Sequence, residues 1–130
     1  MTEVLKPEIT DINKPYWDAL MDKRLTFQSC GCGHAWLPAR LACPKCLGRS
    51  WTWKEAGGTG RIKSWVVYHV AYHEAFRHKV PYNVAIVELD EGPRLFTNIL
   101  ADNATLAAEA RVRLAVQIES GVALACFEPL

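Results

Sequence analysis

No stretch of the chain approaches the roughly 20 consecutive apolar residues that a helix needs to cross a bilayer, so nothing in it reads as a membrane span. Lysines and arginines are scattered and the formal net charge is only +1, so there is no basic stripe of the kind that marks a dedicated nucleic-acid binder. There is no Gly-rich phosphate loop, no G-x-S-x-G elbow and no pair of carboxylates on a recognisable scaffold. Internal repeats and low-complexity segments are also missing. The chain opens Met1-Thr2-Glu3-Val4 without an apolar signal region, which leads to the expectation of a reducing, cytoplasmic setting. With 130 residues, half of them hydrophobic, the chain has room for one main core and a small appended module that would need a metal or a neighbour to fold.

Against those absences stands one concentration. Four of the five cysteines fall at Cys30, Cys32, Cys43 and Cys46. Structural zinc takes four ligands tetrahedrally, and short turns bring two thiolates of one segment onto the same ion. Cys43-Pro44-Lys45-Cys46 is a regular half-site. The other half is irregular, because Ser29 stands where a C-x-x-C pair would need its first thiol, which leaves Cys30-x-Cys32, with His34 as an alternative ligand. A disulfide pairing fits a reducing compartment poorly. A ribbon that keeps its fold without an ion is the competing reading. A catalytic zinc is disfavoured because four sulfurs close the coordination sphere, and four thiolates would accept iron as well as zinc.

The order of elements follows from periodicity. Residues 1 to 12 read as an extended arm. From Asp11 to Leu25 the spacing of Tyr16, Trp17, Leu20, Met21 and Leu25 predicts an amphipathic helix, with Asn13 as N-cap and Pro15 in the first turn. Strand-like pieces at Thr26 to Gln28, His34 to Leu37 and Leu47 to Trp53 flank the cysteines, and alternation puts Trp51 and Trp53 on one side. Ala56-Gly57-Gly58-Thr59-Gly60 breaks regular structure and marks a boundary. The predicted division is 1–25 arm and helix, 26–56 zinc ribbon, 57–130 main domain.

Five strands are predicted beyond it: Arg61 to Tyr72, Tyr82 to Leu89, Arg94 to Leu100, one with Val112, Leu114, Val116 and Ile118 on a single face, and Val122 to Phe127. Asp90 to Pro93 and Ser120-Gly121 are turns, and Ala101 to Ala110 is a helical or irregular connection beginning near Asp102-Asn103. Cys126 shares the phase of Val122 and Leu124 and reads as a small buried hydrophobe. Five strands suggest an OB-fold barrel. A sandwich fragment is the alternative, but the long first strand favours the barrel.

The series Cys32-Gly33-His34, Trp36, Pro38, Arg40, Cys43-Pro44-x-Cys46, Gly57 to Gly60, Val80-Pro81-Tyr82, Val87 to Arg94 and Phe127-Glu128-Pro129 resembles the rubredoxin-like zinc-ribbon and OB-fold proteins that accompany thiolases, thiolase-like aldolases and acyl-CoA dehydratases. The likeness runs from about residue 13 to 129. Departures from the family pattern are Ser29 and the segment Leu106 to Arg113, which lacks the glycine usual before the fourth strand. The resemblance implies a mainly β chain with an N-terminal helix. It also implies an accessory subunit, non-catalytic by itself, docked on a thiolase-like or hydratase-like partner and helping to form an acyl-CoA channel, in lipid, sterol or polyketide-type metabolism.

The residues themselves supply one site-like loop, Tyr72 to Tyr82. Arg77, His78 and Lys79 suit the phosphates of coenzyme A, and Phe76 and Tyr82 could cover its acyl-pantetheine arm; a solvated hairpin loop is the plain alternative. Acid–base candidates are His69, His73, His78, Glu74 and Asp90, yet no nucleophile or oxyanion donor stands with them in sequence. Two further functions stay open at this point: a single-stranded nucleic-acid-binding ribbon and OB module, and a free-standing acyl-CoA enzyme. Fold alone does not choose among them.

Overall fold

The computed structural model describes residues 8–70 and 80–130. Helix α1 runs over Lys14–Met21. It is shorter than the periodicity suggests because Lys23 takes a left-handed φ of 61°. Lys23 N–H donates to the Leu20 carbonyl and Arg24 N–H to that of Ala19, at 2.8 and 2.9 Å. This satisfies the last carbonyls and turns the chain away. Pro15 sits in the first turn as expected, but Asn13 makes no side-chain cap. Its amide instead accepts from Thr10 N–H and donates to the Glu8 carbonyl, bracing the segment before the helix.

Three short strands follow, β1 Thr26–Cys30, β2 Ala35–Trp36 and β3 Trp51–Glu55, in the antiparallel order β2-β1-β3. Residues 47–50 lie outside β3, contrary to expectation, since Leu47 takes a φ of 63° that no strand accommodates. Gln28 is fully buried in β1, where its side-chain amide closes two bonds with the Arg40 backbone, at 2.7 and 2.8 Å, pinning the 37–42 segment onto the sheet.

Only Ala56, Gly57 and Gly58 separate this sheet from the next; Thr59 and Gly60 already belong to β4. The second sheet comprises β4 Thr59–Tyr68, β5 Tyr82–Leu89, β6 Arg94–Thr97, β7 Arg111–Glu119 and β8 Val122–Pro129, in the order β6-β5-β4-β7-β8. The long β4 pairs with β5 along its length and with β7 through Thr59 to Arg61, with a bulge between Ile62 and Ser64 that bends it. The sheet closes where the chain leaving β6 meets β8 in a parallel bridge, Ile99 to Phe127. Leu100 N–H donates to the Phe127 carbonyl at 2.7 Å and Phe127 N–H to that of Asn98 at 3.1 Å. Five strands closed in this way form the OB-fold barrel. β6 ends earlier than expected because the chain leaves β5 after Thr97 to reach β8. The 101–110 connection is irregular, with one 3₁₀ turn at Asn103–Thr105 that Asp102 caps through Ala104 N–H.

One core joins the parts. Leu20, Leu25 and Phe27 belong to the same buried cluster as Ile62, Val87, Leu89, Val112 and Phe127. Val112, Leu114 and Val116 face it as predicted, whereas Ile118 lies exposed towards the hairpin tip. In β8 the phase of Ala123, Ala125 and Phe127 faces the core. Cys126 and Leu124 are therefore on the outer face, and Cys126 is buried next to Tyr16 of α1, whose hydroxyl burial, with the Cys126 charge adding, pushes up to about 12.

No helix among the described residues is long and apolar enough to cross a membrane. Gly60 marks the tightest strand approach: a Cβ there would lie 2.4 Å from the Glu88 carbonyl oxygen and 2.9 Å from Val87 Cγ1. Gly60→Ala must push β4 off β5, and urea unfolding is expected to show a loss of about 1–3 kcal/mol.

Candidate functional site

The four cysteines predicted as ligands come together. Their sulfurs all lie within 4.8 Å of one another. Cys30 Sγ is 3.6 Å from Cys46 Sγ, and Cys32 Sγ is 3.7 Å from Cys43 Sγ. Sulfurs about 2.3 Å from a common ion at tetrahedral angles would stand about 3.8 Å apart, so the cluster has the size of a four-thiolate metal centre.

Local backbone explains how an irregular spacing achieves this. Cys30 closes β1, and Gly33, with a φ of 96°, turns the chain so that Gly33 N–H donates to the Cys30 carbonyl and Cys30 N–H to that of His34. At the other half-site Leu47 N–H donates to the Cys43 carbonyl. There Lys45 and Cys46 N–H groups point at Cys43 Sγ and Gly48 N–H at Cys46 Sγ, at 3.4 to 3.5 Å. Such N–H dipoles favour thiolates. The missing thiol at Ser29 costs the cluster nothing, since Cys30 at the strand end supplies the position. His34 does not join the group: its ring stacks on Trp36, centroids 5.7 Å apart.

Electrostatics point to the same conclusion. Burial works against ionising Cys43, but the Cys46 and Lys45 N–H groups and the Cys32 and Cys46 thiols together outweigh it and bring the thiol down to about 7. Gly48 N–H lowers Cys46, yet the other three sulfurs overcome it and push that thiol up to about 11. Four thiols this close resist ionising together, and a shared divalent cation removes the conflict. Trp36 and Trp51 pack around the buried Cys30 and Cys43, forming a small core separate from the main one. Trp51 also donates its indole N–H to the Leu41 carbonyl at 2.7 Å, tying β3 to the loop between the half-sites.

The other predicted site residues fare differently. Phe76, Arg77, His78 and Lys79, like His73 and Glu74, lie outside the described residues. Tyr82 opens β5 half-buried and stacks on Tyr68 across the strands, centroids 5.2 Å apart. His69 is exposed at the end of β4. Asp90 is held by Arg111 at 2.7 and 3.1 Å and by Thr59, and these partners, Arg111 foremost, bring its carboxyl down to about 2. It remains charged at any ordinary pH and serves as a brace for the β5–β6 turn, not as an acid or base.

Sequence reasoning missed an outward face of the barrel. Strand alternation puts Val66 and Tyr68 of β4, Val84 and Ile86 of β5, and Phe96 of β6 on one side, paired as Val66–Val84, Tyr68–Tyr82 and Ile86–Phe96. Phe96 is 76% exposed and Val66 53%. The mixed runs in β4 and β5 carried this signal, but only the register shows that they form one surface.

The chain resembles known proteins throughout its length. A family model described as the C-terminal OB-fold domain of ChsH2 matches residues 53–117. A solved chain of the Ltp2–ChsH2(DUF35) aldolase is 34% identical, with a TM-score of 0.84 over 95% of this chain and 98% of that one. A probable enoyl-CoA hydratase alpha subunit of Thermomonospora curvata is 40% identical over 96 residues, 73% of this chain and 30% of the relative. A DUF35 domain-containing scaffold protein of Methanocaldococcus jannaschii is 38% identical over 71 residues, 53% of this chain and 49% of the relative. The chain thus spans less than a third of the hydratase subunit and about half of the scaffold protein.

Titrating the reduced chain with Co(II) tests the cluster. One equivalent is expected to give an intense thiolate charge-transfer band of tetrahedral type; Cys43→Ser should abolish or strongly weaken it, and Cys126→Ser, remote from the cluster, should leave it intact.

Proposed function

The chain belongs to the DUF35 family of OB-fold proteins, and from that premise we propose that it is an accessory subunit that docks on a thiolase-like or hydratase-like enzyme and helps that enzyme bind its acyl-CoA substrate. The observation that carries this reading is the aldolase relative: it matches this chain end to end, and its name joins two proteins. The hydratase subunit and the scaffold protein point to the same pair of roles, one through its CoA substrate and one through assembly. The outward face of β4, β5 and β6 supports docking, because an apolar surface containing an aromatic ring as exposed as Phe96 is the kind that a partner covers.

In this reading the partner supplies the catalytic groups. The four cysteines hold zinc as a structural ion: four thiolates leave no open position for water, so the metal's contribution is to fold the ribbon. Cys30, Cys32, Cys43 and Cys46 are its ligands. The division into arm and helix 1–25, ribbon 26–56 and barrel 57–130 is kept as a functional one, with the barrel facing substrate. Phe76, Arg77, His78, Lys79 and Tyr82 are the side chains proposed to meet the CoA ester, the cations at its phosphates. Apposition of this loop to the partner's substrate entrance is the mechanism by which such a chain would raise the partner's activity.

Replacing Arg77 and Lys79 together by alanine is expected to weaken CoA-ester binding by the assembled complex about tenfold or more, read by calorimetry or by the KM of the complex, while leaving assembly unchanged. An unchanged affinity would remove the CoA-facing role from this loop.

A further inference from the structure

The β7–β8 hairpin is much longer than the barrel wall it helps to form. β7 pairs with β4 only through residues 111–113, and past Leu114, whose N–H donates to the Gly58 carbonyl at 2.7 Å, the hairpin runs beyond the start of that strand. No extended ladder joins β6 to β8: Thr97 Oγ1 donates to the Ala125 carbonyl at 2.6 Å, and just past β6 a single parallel bridge links Ile99 to Phe127. Between the outer face of the hairpin, the start of β5 and the 98–103 segment lies a cleft of about 590 Å³. That volume is within the usual range for a small-molecule site.

Its chemistry is one-sided. Ile99, Leu124 and Cys126 make an apolar floor, of which Ile99 and Cys126 are buried. The rim is built of amides. Asn83 is buried and fully used: its amide nitrogen donates to the Ile99 carbonyl and to Asn103 Oδ1, both at 2.9 Å, and its oxygen accepts from Ile99 N–H at 2.7 Å. This fixes the neighbouring side chains. Asn103 is left with one amide proton on a long 3.4 Å contact to the Pro81 carbonyl. Asn98 spends its nitrogen on the Asn83 carbonyl, leaving its Oδ1 open. Gln117 makes only a 3.4 Å contact to its neighbour's carbonyl. The charged lining residues are Asp102 and Glu119, and no lysine, arginine or histidine among the described residues lines the cleft.

Among the described residues the cleft offers an apolar floor and pre-set amide donors and acceptors at its rim, a lining that accepts an uncharged chain bearing amides. We propose that this seam cleft binds the pantetheine arm of the CoA ester, and that the nucleotide end stays outside it. The inference rests on the acyl-CoA reading above and adds a second, uncharged half to the site. The arm lies along Leu124 with its amides against Asn98, Asn103 and Gln117. Tyr82, which opens β5, lines the cleft and is also one of the side chains proposed above to meet the CoA ester.

The test uses the whole metal-loaded chain and NMR of its backbone and side-chain amides, with pantetheine and adenosine 3′,5′-bisphosphate as separate probes at millimolar concentration. Pantetheine is expected to shift the Asn98, Asn103 and Gln117 side-chain amides and the Ile99 to Ala101 backbone, and the bisphosphate to leave them in place. Leu124→Trp, which fills the floor, should weaken pantetheine binding about tenfold or more; Gln117→Ala, at an exposed position, should weaken it several-fold in a chain that folds normally. Still cleft amides with pantetheine, equal shifts in both variants, or bisphosphate moving the same amides would each overturn the proposal. A silent cleft in a chain that still associates with an acyl-CoA enzyme would remove the cleft site alone. Pantetheine binding in a chain with no such companion would remove the accessory reading alone.

Discussion

The structure depends on the sharing of one hydrophobic core between parts that could not each build their own. β1, β2 and β3 together hold twelve residues, and their second cluster of buried residues contains only Cys30, Trp36 and Cys43. A sheet of that size does not bury enough apolar surface to offset the entropy of ordering it. Leu20, Leu25 and Phe27 meet this deficit by entering the barrel core, where they pack with residues around Phe127. The four sulfurs meet it at the other end. The ribbon is therefore fixed by a metal-sized thiolate cluster at its tip and by the barrel core at its base.

This arrangement accounts for the placement of the chemistry. Because the base of the ribbon is buried in the barrel, helix and ribbon leave the outer side of β4, β5 and β6 uncovered, and Val66, Tyr68 and Phe96 face outward there. Because the barrel closes through a single parallel bridge, the long hairpin of β7 and β8 leaves a cleft at the seam. The same economy that makes the OB-fold a good platform for ligands, a closed wall with one short seam, gives this chain an apolar face and an amide-lined cleft. The weak net charge and the absence of a basic stripe keep a nucleic-acid role in second place.

Much of this was legible in the residues. The order of helix, ribbon and five strands followed from periodicity, and the gathering of four cysteines from their spacing, because both signals are local. The failures have physical causes. Asn13 looked like a helix cap, but its side chain found nearer partners at Thr10 and Glu8. Leu47 and Lys23 adopt positive φ values that favour glycine, so turn positions were concealed behind ordinary side chains. Cys126 was read correctly as a small buried hydrophobe, but that α1 is what covers it on the outer face of β8 is a long-range contact no local pattern carries. The seam cleft draws on four segments far apart in the chain, and its asparagines carry no spacing signal, so only the closed barrel brings them together.

The most direct measurement is affinity purification of the tagged chain from its native cells at near-physiological salt, followed by assay of the eluate on acyl-CoA substrates with and without the chain. The account predicts a thiolase-like or hydratase-like companion whose activity needs both proteins. A chain that elutes alone, or a companion that turns over its substrate equally well without it, would contradict the account.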